Sequence, residues 1–206
     1  MDTRVNYIIL RGFLHSKPAF SHENHGRQFY RFLLLVPRLS GTEDILPVIA
    51  ARELMEKTDL NGGLIEITGQ IRSFNNRSDT GRKLIISVFA ESITFCDGEP
   101  ENLVSLTGTI CKTPIYRRTP LGREICDVML AVNRSYHRSD YLPIILWGRT
   151  AQQVSQLSVG TMLQVEGRLQ SREYQKQLET GPERRTAYEI SAMGAGVYAP
   201  EDLPYE

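Results

Sequence analysis

The sequence predicts an all-β chain with one short helix in each of two similar halves. The chain repeats itself at a spacing of 96 residues, the length of a whole domain rather than of a solenoid unit. Apolar and polar residues alternate with period two in several segments, which is typical of strands with one buried face. Helix-forming residues occur once in each half. These observations indicate two tandem five-stranded barrels within 206 residues.

Matching blocks in the same order carry the repeat. A spacing of 96 aligns Gly12 with Gly108, and a spacing of 98 aligns Gly69 with Gly167. A spacing of 104 aligns the Ile-Ser pair at 86–87 with the pair at 190–191. Small insertions in loops explain both changes of spacing, because loops absorb changes of length.

Each half is expected to contain three strands, a helix and two further strands. In the first half the predicted strands are residues 5–14, 28–36, 45–50, 64–74 and 84–95. In the second half they are residues 103–111, 124–132, 141–147, 161–174 and 187–198. The predicted helices are residues 51–57 and 150–156, and polar turns are expected at 75–82 and 175–185.

This element order is typical of the OB fold, a five-stranded Greek-key barrel with a helix between strands three and four. The internal glycines suit a small closed barrel, where strands bend sharply. We place the domain boundary in the polar segment 97–100. The predicted division is domain 1 at residues 1–98, domain 2 at 99–198, and a short acidic tip at 199–206.

Composition excludes several classes of protein. The total charge is zero, but domain 1 carries 12 Lys/Arg against 11 Asp/Glu and domain 2 carries 12 against 10. A neutral total still allows a local basic groove. The three cysteines lack CxxC spacing, so we expect reduced thiols and no metal site. Neither a signal peptide nor an apolar run long enough to cross a membrane is expected.

No arrangement of residues typical of catalysis is found. The sequence has no phosphate-binding glycine loop and no recognisable Ser/His/Asp set. We therefore expect a binding protein that is not an enzyme and that needs no cofactor.

Aromatic and basic residues of the second half suggest what it binds. Four rings lie in or beside its strands: Tyr136, Tyr141, Trp147 and Tyr174. Seven arginines are interleaved with them: Arg117, Arg118, Arg134, Arg138, Arg149, Arg168 and Arg172. Rings stack on unpaired bases and arginines contact phosphates, so the pattern favours single-stranded nucleic acid. The alternative is that the rings belong to the core.

Five motifs of the second half resemble the bacterial single-stranded DNA-binding protein family. They are NLVSLTGTI at 102–110, TPLG at 119–122, LAVNR at 130–134, WGRTA at 147–151 and VEGRLQSREY at 165–174. The resemblance implies that the four rings stack on DNA bases. It also implies sequence-nonspecific binding and protection of single-stranded DNA during replication, repair or recombination.

The first half resembles the family only through its framework. The four ring positions hold Ser40, Ile45, Ala51 and Asn76 instead. Phe20, Tyr30 and Phe74 are possible substitutes, and six arginines remain for phosphate contacts: Arg27, Arg31, Arg38, Arg72, Arg77 and Arg82. We expect the second barrel to bind bases while the first mainly builds the assembly.

The resemblance also implies partners and a location. Two-barrel members form dimers with four barrels, so a homodimer is expected in the bacterial cytoplasm, associated with the nucleoid. The tip residues Asp202, Leu203, Pro204 and Tyr205 resemble the family's partner-binding end, although an ordinary acidic terminus is the alternative. The rival function is a diverged paralogue that acts as a primosome or recombination scaffold with weak DNA binding.

Overall fold

The computed structural model describes residues 5–57, 63–75, 84–136, 138–178 and 181–198. Each half contains six strands and one short helix within these residues. The first half contains β1 (Asn6–Leu14), β2 (Ala19–Asn24), β3 (Arg27–Pro37), β4 (Glu43–Ala51), α1 (Arg52–Glu56), β5 (Ile65–Asn75) and β6 (Leu84–Phe95). The second half contains β7 (Glu101–Ile110), β8 (Ile115–Arg118), β9 (Glu124–Arg134), β10 (Arg138–Trp147), α2 (Gly148–Val154), β11 (Met162–Leu178) and β12 (Gly181–Val197).

Five strands of each half close into a barrel. In the first half β1 pairs with both β3 and β5, and the circuit continues through β4 and β6. A short parallel contact between β4 and β6 completes it. In the second half β7, β9, β10, β12 and β11 form the same circuit, again with one short parallel contact. The prediction of two tandem OB-fold barrels is confirmed.

The core follows from the alternation seen in the sequence. Along β10, Leu142, Ile144 and Leu146 are buried inside the second barrel, while Tyr141 and Trp147 point outwards. Since successive side chains of a strand point to opposite faces, one face fills the barrel and the other meets solvent.

A bulge in each barrel needs glycine. β5 is irregular at Gly69 and β11 at Gly167. A Cβ atom on Gly69 would overlap the carbonyl oxygen of Phe89, and one on Gly167 would overlap that of Ser191. The two sites are equivalent, so Phe89 of the first barrel corresponds to Ser191 of the second, at a spacing of 102. The spacing of 104 predicted from the Ile-Ser pairs is therefore two residues too long, which is one period of the strand.

The strands differ from the predictions in number and length. β2 and β8 are additional strands, paired with β3 and β9 at the side of each barrel. The expected polar turn at 175–185 is wrong, because β11 and β12 continue through most of it as a long hairpin. Tyr174 therefore lies within a strand, and Tyr141 lies inside β10 rather than at its start. The turn expected at 75–82 lies almost entirely outside the described residues.

Strand pairing joins the two barrels. β1 runs antiparallel to β7, from Asn6 opposite Leu106 to Arg11 opposite Glu101. One sheet thus passes from barrel to barrel, and the outer edge of each first strand is covered by the other.

Two buried carboxylates reinforce this junction. The Asp44 carboxylate accepts a hydrogen bond from the backbone N–H of Ser171 across the junction, at 2.8 Å. The Asp140 carboxylate accepts the equivalent bond from Ser73 N–H at 2.7 Å. Both aspartates are fully buried. Each barrel therefore inserts one aspartate against the other barrel, in a pseudo-twofold arrangement.

Candidate nucleic-acid interface

The outer face of β10 presents two of the four rings. Tyr141 is 43% exposed and Trp147 is 39% exposed. Trp147 is held in place because its Nε1 donates a hydrogen bond to Ser191 Oγ, at 3.1 Å. The indole N–H is therefore hydrogen-bonded within the protein, and the ring lies at the surface rather than in the core. Six residues of strand separate the two rings by about 20 Å.

Tyr136 lies in the turn between β9 and β10 and is 92% exposed. Its backbone has a φ of 63°, a left-handed conformation that residues other than glycine rarely adopt. Such a conformation costs about 1–3 kcal/mol and is found most often at functional sites. The turn therefore holds the phenol ring in solvent at a cost in stability.

Tyr174 is half-buried on β11, opposite Arg185 of β12. The Arg172 guanidinium lies over the Tyr174 ring, 5.8 Å from its centroid. This cation–π contact occupies one face of the ring.

The four rings do not form one cluster. Tyr141 lies beside the first barrel, where its N–H donates a hydrogen bond to Ser73 Oγ at 2.7 Å, and Tyr136 lines a groove between the two barrels. Trp147 lies at the opposite end of β10. The site residues therefore span the length of the second barrel.

Four of the seven arginines have carboxylate partners. The ion pairs are Arg117–Asp127 at 2.6 Å, Arg118–Glu124 at 3.0 Å, Arg134–Asp140 at 3.6 Å and Arg172–Glu189 at 3.2 Å. The hydrogen bond to Asp127 raises the pKa of Arg117. A phosphate at these positions would compete with a carboxylate already in place.

The other three arginines, Arg138, Arg149 and Arg168, form no ion pair within the described part of the chain. Arg138 and Arg149 are exposed, and the Nε of Arg168 is buried without a hydrogen-bond partner. Of the seven arginines, these three could contact a phosphate without giving up a carboxylate.

The first barrel keeps a ring where its sequence suggests none. Ala51 replaces Trp147, but the position equivalent to Ser191, whose Oγ accepts the hydrogen bond from Trp147 Nε1, holds Phe89. This ring lies on β6, the strand paired with the end of β4. The repeat did not reveal Phe89, because the spacing of 104 assumed for β6 is two residues longer than the spacing of 102 that the structure gives.

Asn76, Arg77 and Arg82 lie outside the described residues, as does the whole acidic tip.

The two aspartates of the junction have different partners. Arg38 binds Asp44 through two nitrogens at 2.7 and 2.5 Å, and this hydrogen bonding raises the pKa of Arg38. Asp140 is shared between Arg72 and Arg134, at 3.4 and 3.6 Å. Burial lowers the pKa of Arg72, although the Asp140 charge acts in the opposite direction. The Asp140 side of the junction thus carries one excess positive charge.

Two structural absences bear on the site. In the described ranges, no three His, Cys, Asp or Glu side chains are grouped to hold a metal ion. Neither helix in those ranges is long and apolar enough to cross a membrane.

Comparison with known proteins identifies the family. The profile of the single-strand binding protein family matches residues 101–196. Single-stranded DNA-binding protein B of Bacillus subtilis is 35% identical over 83 residues, which are 37% of this chain and 74% of that protein. Single-stranded DNA-binding protein 1 of Staphylococcus aureus is 39% identical over 83 residues, 37% of this chain and 50% of that protein.

A solved structure extends the similarity to the whole chain. A deletion mutant of the single-stranded DNA binding protein from Thermus aquaticus superimposes with a TM-score of 0.76 at 25% identity, covering 98% of both chains. The chain therefore belongs to the single-strand binding protein family. It spans about half the length of the staphylococcal relatives that it matches.

Proposed function

We propose that this protein binds single-stranded DNA without strong sequence preference, through the outer face of the second barrel. The observation that carries the proposal is the exposure of Tyr136, Tyr141 and Trp147 near arginines that have no carboxylate partner among the described residues. Such rings stack on any base, at about 1–3 kcal/mol per base. The relatives named for single-stranded DNA binding support the same conclusion.

In the proposed mechanism, the strand follows β10 from Trp147 towards Tyr141 and the turn at Tyr136. Arg138, Arg149 and Arg168 contact phosphates directly. Arg117 and Arg172 exchange Asp127 and Glu189 for phosphate as the strand enters. Tyr174 stacks on a base with the face that Arg172 leaves free. The protein acts by binding alone, and no catalytic step is part of the proposal.

The proposed cellular role is protection of exposed strands during replication, repair or recombination. The protein would act in the bacterial cytoplasm, on the nucleoid, as a homodimer with four barrels. Asp202, Leu203, Pro204 and Tyr205 would recruit replication or repair proteins.

Trp147 fluorescence provides the first test, because it is the only tryptophan of the chain. Titration with oligo(dT) should quench the emission as a base stacks on the indole. If about three phosphates are neutralised, a fourfold increase in salt should weaken binding about twentyfold. Double-stranded DNA of the same length is the control, and it should leave the emission unchanged.

Other results would contradict the proposal. Binding without quenching would move the site away from Trp147. An absence of binding at low salt would exclude the protection of single-stranded DNA. It would leave a protein-interaction scaffold as the function to pursue.

A further inference from the structure

A groove of about 840 Å³ runs between the two barrels, on the side of the Asp140 junction. Strands β2 to β6 of the first barrel line one side of it, with Phe74, Ile85 and Phe89 among the lining residues. The turn after β9, with Tyr136, and the start of β10, with Arg138, form the opposite wall. Neither barrel has this groove alone. Its volume is within the range of small-molecule binding sites, roughly 300–1,000 Å³.

The charge of the groove is positive. Four arginines line it: Arg31, Arg72, Arg134 and Arg138. No carboxylate side chain lines it among the described residues, and Arg72 and Arg134 form ion pairs with the buried Asp140. Arg31 and Arg138 form no ion pair in that part of the chain. An anion would therefore enter without displacing a carboxylate.

Exposed rings lie beside these cations. The Phe74 ring is 59% exposed at the end of β5, and Tyr136 projects from the facing turn. Phe89 is half-buried, with the Arg72 guanidinium 5.8 Å from its ring centroid. Exposed rings in a groove lined by guanidinium groups match the bases and phosphates of an unpaired strand.

The equivalent groove on the other side of the molecule has a different character. The repeat places Asp127 at the position of Arg31, and the strand registers place Glu189 at that of Ser87. Asp127 and Glu189 neutralise Arg117 and Arg172 there. Arg172 stands where the first barrel has Phe74, and Ser40 stands where the second has Tyr136. The inter-barrel groove beside Tyr136 thus has a ring at Phe74 and a cation at Arg31, where the equivalent positions hold Arg172 and Asp127.

We infer that this groove is a second segment of the single-stranded DNA path, in which Phe74 and Phe89 stack on bases facing Tyr136 while Arg31 and Arg138 hold phosphates. This inference rests on the proposed function and extends it to the first barrel. It replaces the expectation that the first barrel mainly builds the assembly. The strand would pass from Trp147 along β10 to Tyr136 and from there onto Phe74.

The test compares two exposed phenylalanines of the same hairpin. Phe74 lies at one end of the β5–β6 hairpin, and Phe95, 51% exposed, lies at the other end, outside the groove. Fluorescein-labelled oligo(dT) long enough to span both barrels is titrated with the full chain, and anisotropy gives the affinity. Phe74→Ala should weaken binding about fivefold or more, the loss of one stacked base. Phe95→Ala should stay within about twofold of the wild type.

Two further measurements separate the inference from the proposed function. Arg31→Gln should lower the slope of affinity against salt concentration by about 0.7, the contribution of one phosphate contact on a single strand. Quenching of Trp147 by a short oligo(dT) should persist in Phe74→Ala, which also shows that the variant is folded.

Each remaining outcome has one meaning. Absence of binding by the wild type defeats the proposed function. Wild-type binding with Phe74→Ala and Arg31→Gln indistinguishable from Phe95→Ala overturns the inference and leaves the proposed function intact. Tighter binding of oligo(U) than of oligo(dT), dependent on Phe74, assigns the groove to RNA and overturns it as well.

Discussion

Tyr136 combines an exposed ring with a left-handed backbone, and the two properties can be separated experimentally. Tyr136→Ala removes the ring and keeps the strained φ, whereas Tyr136→Gly removes both. Both variants should lose DNA affinity to the same extent. The glycine variant should be more stable than the alanine variant by about 1 kcal/mol, because left-handed φ costs an L-residue roughly that amount. Urea denaturation and anisotropy titration measure the two effects.

A different result would change the role of the turn. Equal stability of the two variants would mean that the backbone of Tyr136 is unstrained. Unchanged affinity in both would remove Tyr136 from the DNA path while leaving Trp147 in place.

Individual arginines show why site residues are harder to predict than strands. A list of arginines from the sequence treats Arg117 and Arg138 alike, but the structure pairs Arg117 with Asp127 and leaves Arg138 exposed in the groove. Pairing depends on which strands become neighbours, which a single sequence does not reveal.

Strands and bulges set the shape of each barrel, and glycine is essential at the bulge. In Gly167→Ala, the new Cβ would overlap the Ser191 carbonyl oxygen, so β11 and β12 must separate. We expect a loss of about 1–3 kcal/mol in the free energy of unfolding. Gly194→Ala on β12 is the matched control, because a Cβ there meets no atom within 4 Å. Chemical denaturation of both variants gives the comparison, and equal stability would show that the bulge tolerates a side chain.

Strands buried on one face were predictable, and strands exposed on both faces were not. The alternation of β10 follows directly from its buried and exposed side chains. β8 is exposed at all four positions, and β2 at five of six, so neither has a period-two signal. The ends of β11 and β12 are likewise mostly polar and are held by backbone pairing. The sequence did not reveal Phe89 because the matching Ile-Ser pairs suggested a register for β6 that differs from the observed one by two residues.

At the scale of the whole molecule, Asp140 holds the two barrels together. It accepts a hydrogen bond from Ser73 of the first barrel and is the only carboxylate paired with Arg72 or Arg134 in the described residues. Asp140→Ala should destabilise the protein by about 3–5 kcal/mol, because it leaves two part-buried guanidinium groups unpaired. Asp127→Ala, which breaks a more exposed pair, should cost less than about 1 kcal/mol.

Denaturant midpoints of the two variants measure this difference. Similar midpoints would mean that water or neighbouring groups satisfy Arg72 and Arg134 without Asp140. A large effect of Asp140→Ala would identify the junction as part of the cooperative fold rather than as a contact between independent domains.

The antiparallel pairing of β1 with β7 has a consequence for how long a strand stays bound. It fixes the two proposed DNA-binding segments at one distance, so no flexible linker has to be ordered when the second segment engages. If both segments bind DNA, they act as one bivalent site, and a strand released from one segment is held close to it by the other. An enzyme advancing along the DNA could instead detach one segment at a time. It would then need little force to remove a protein that dissociates slowly by itself.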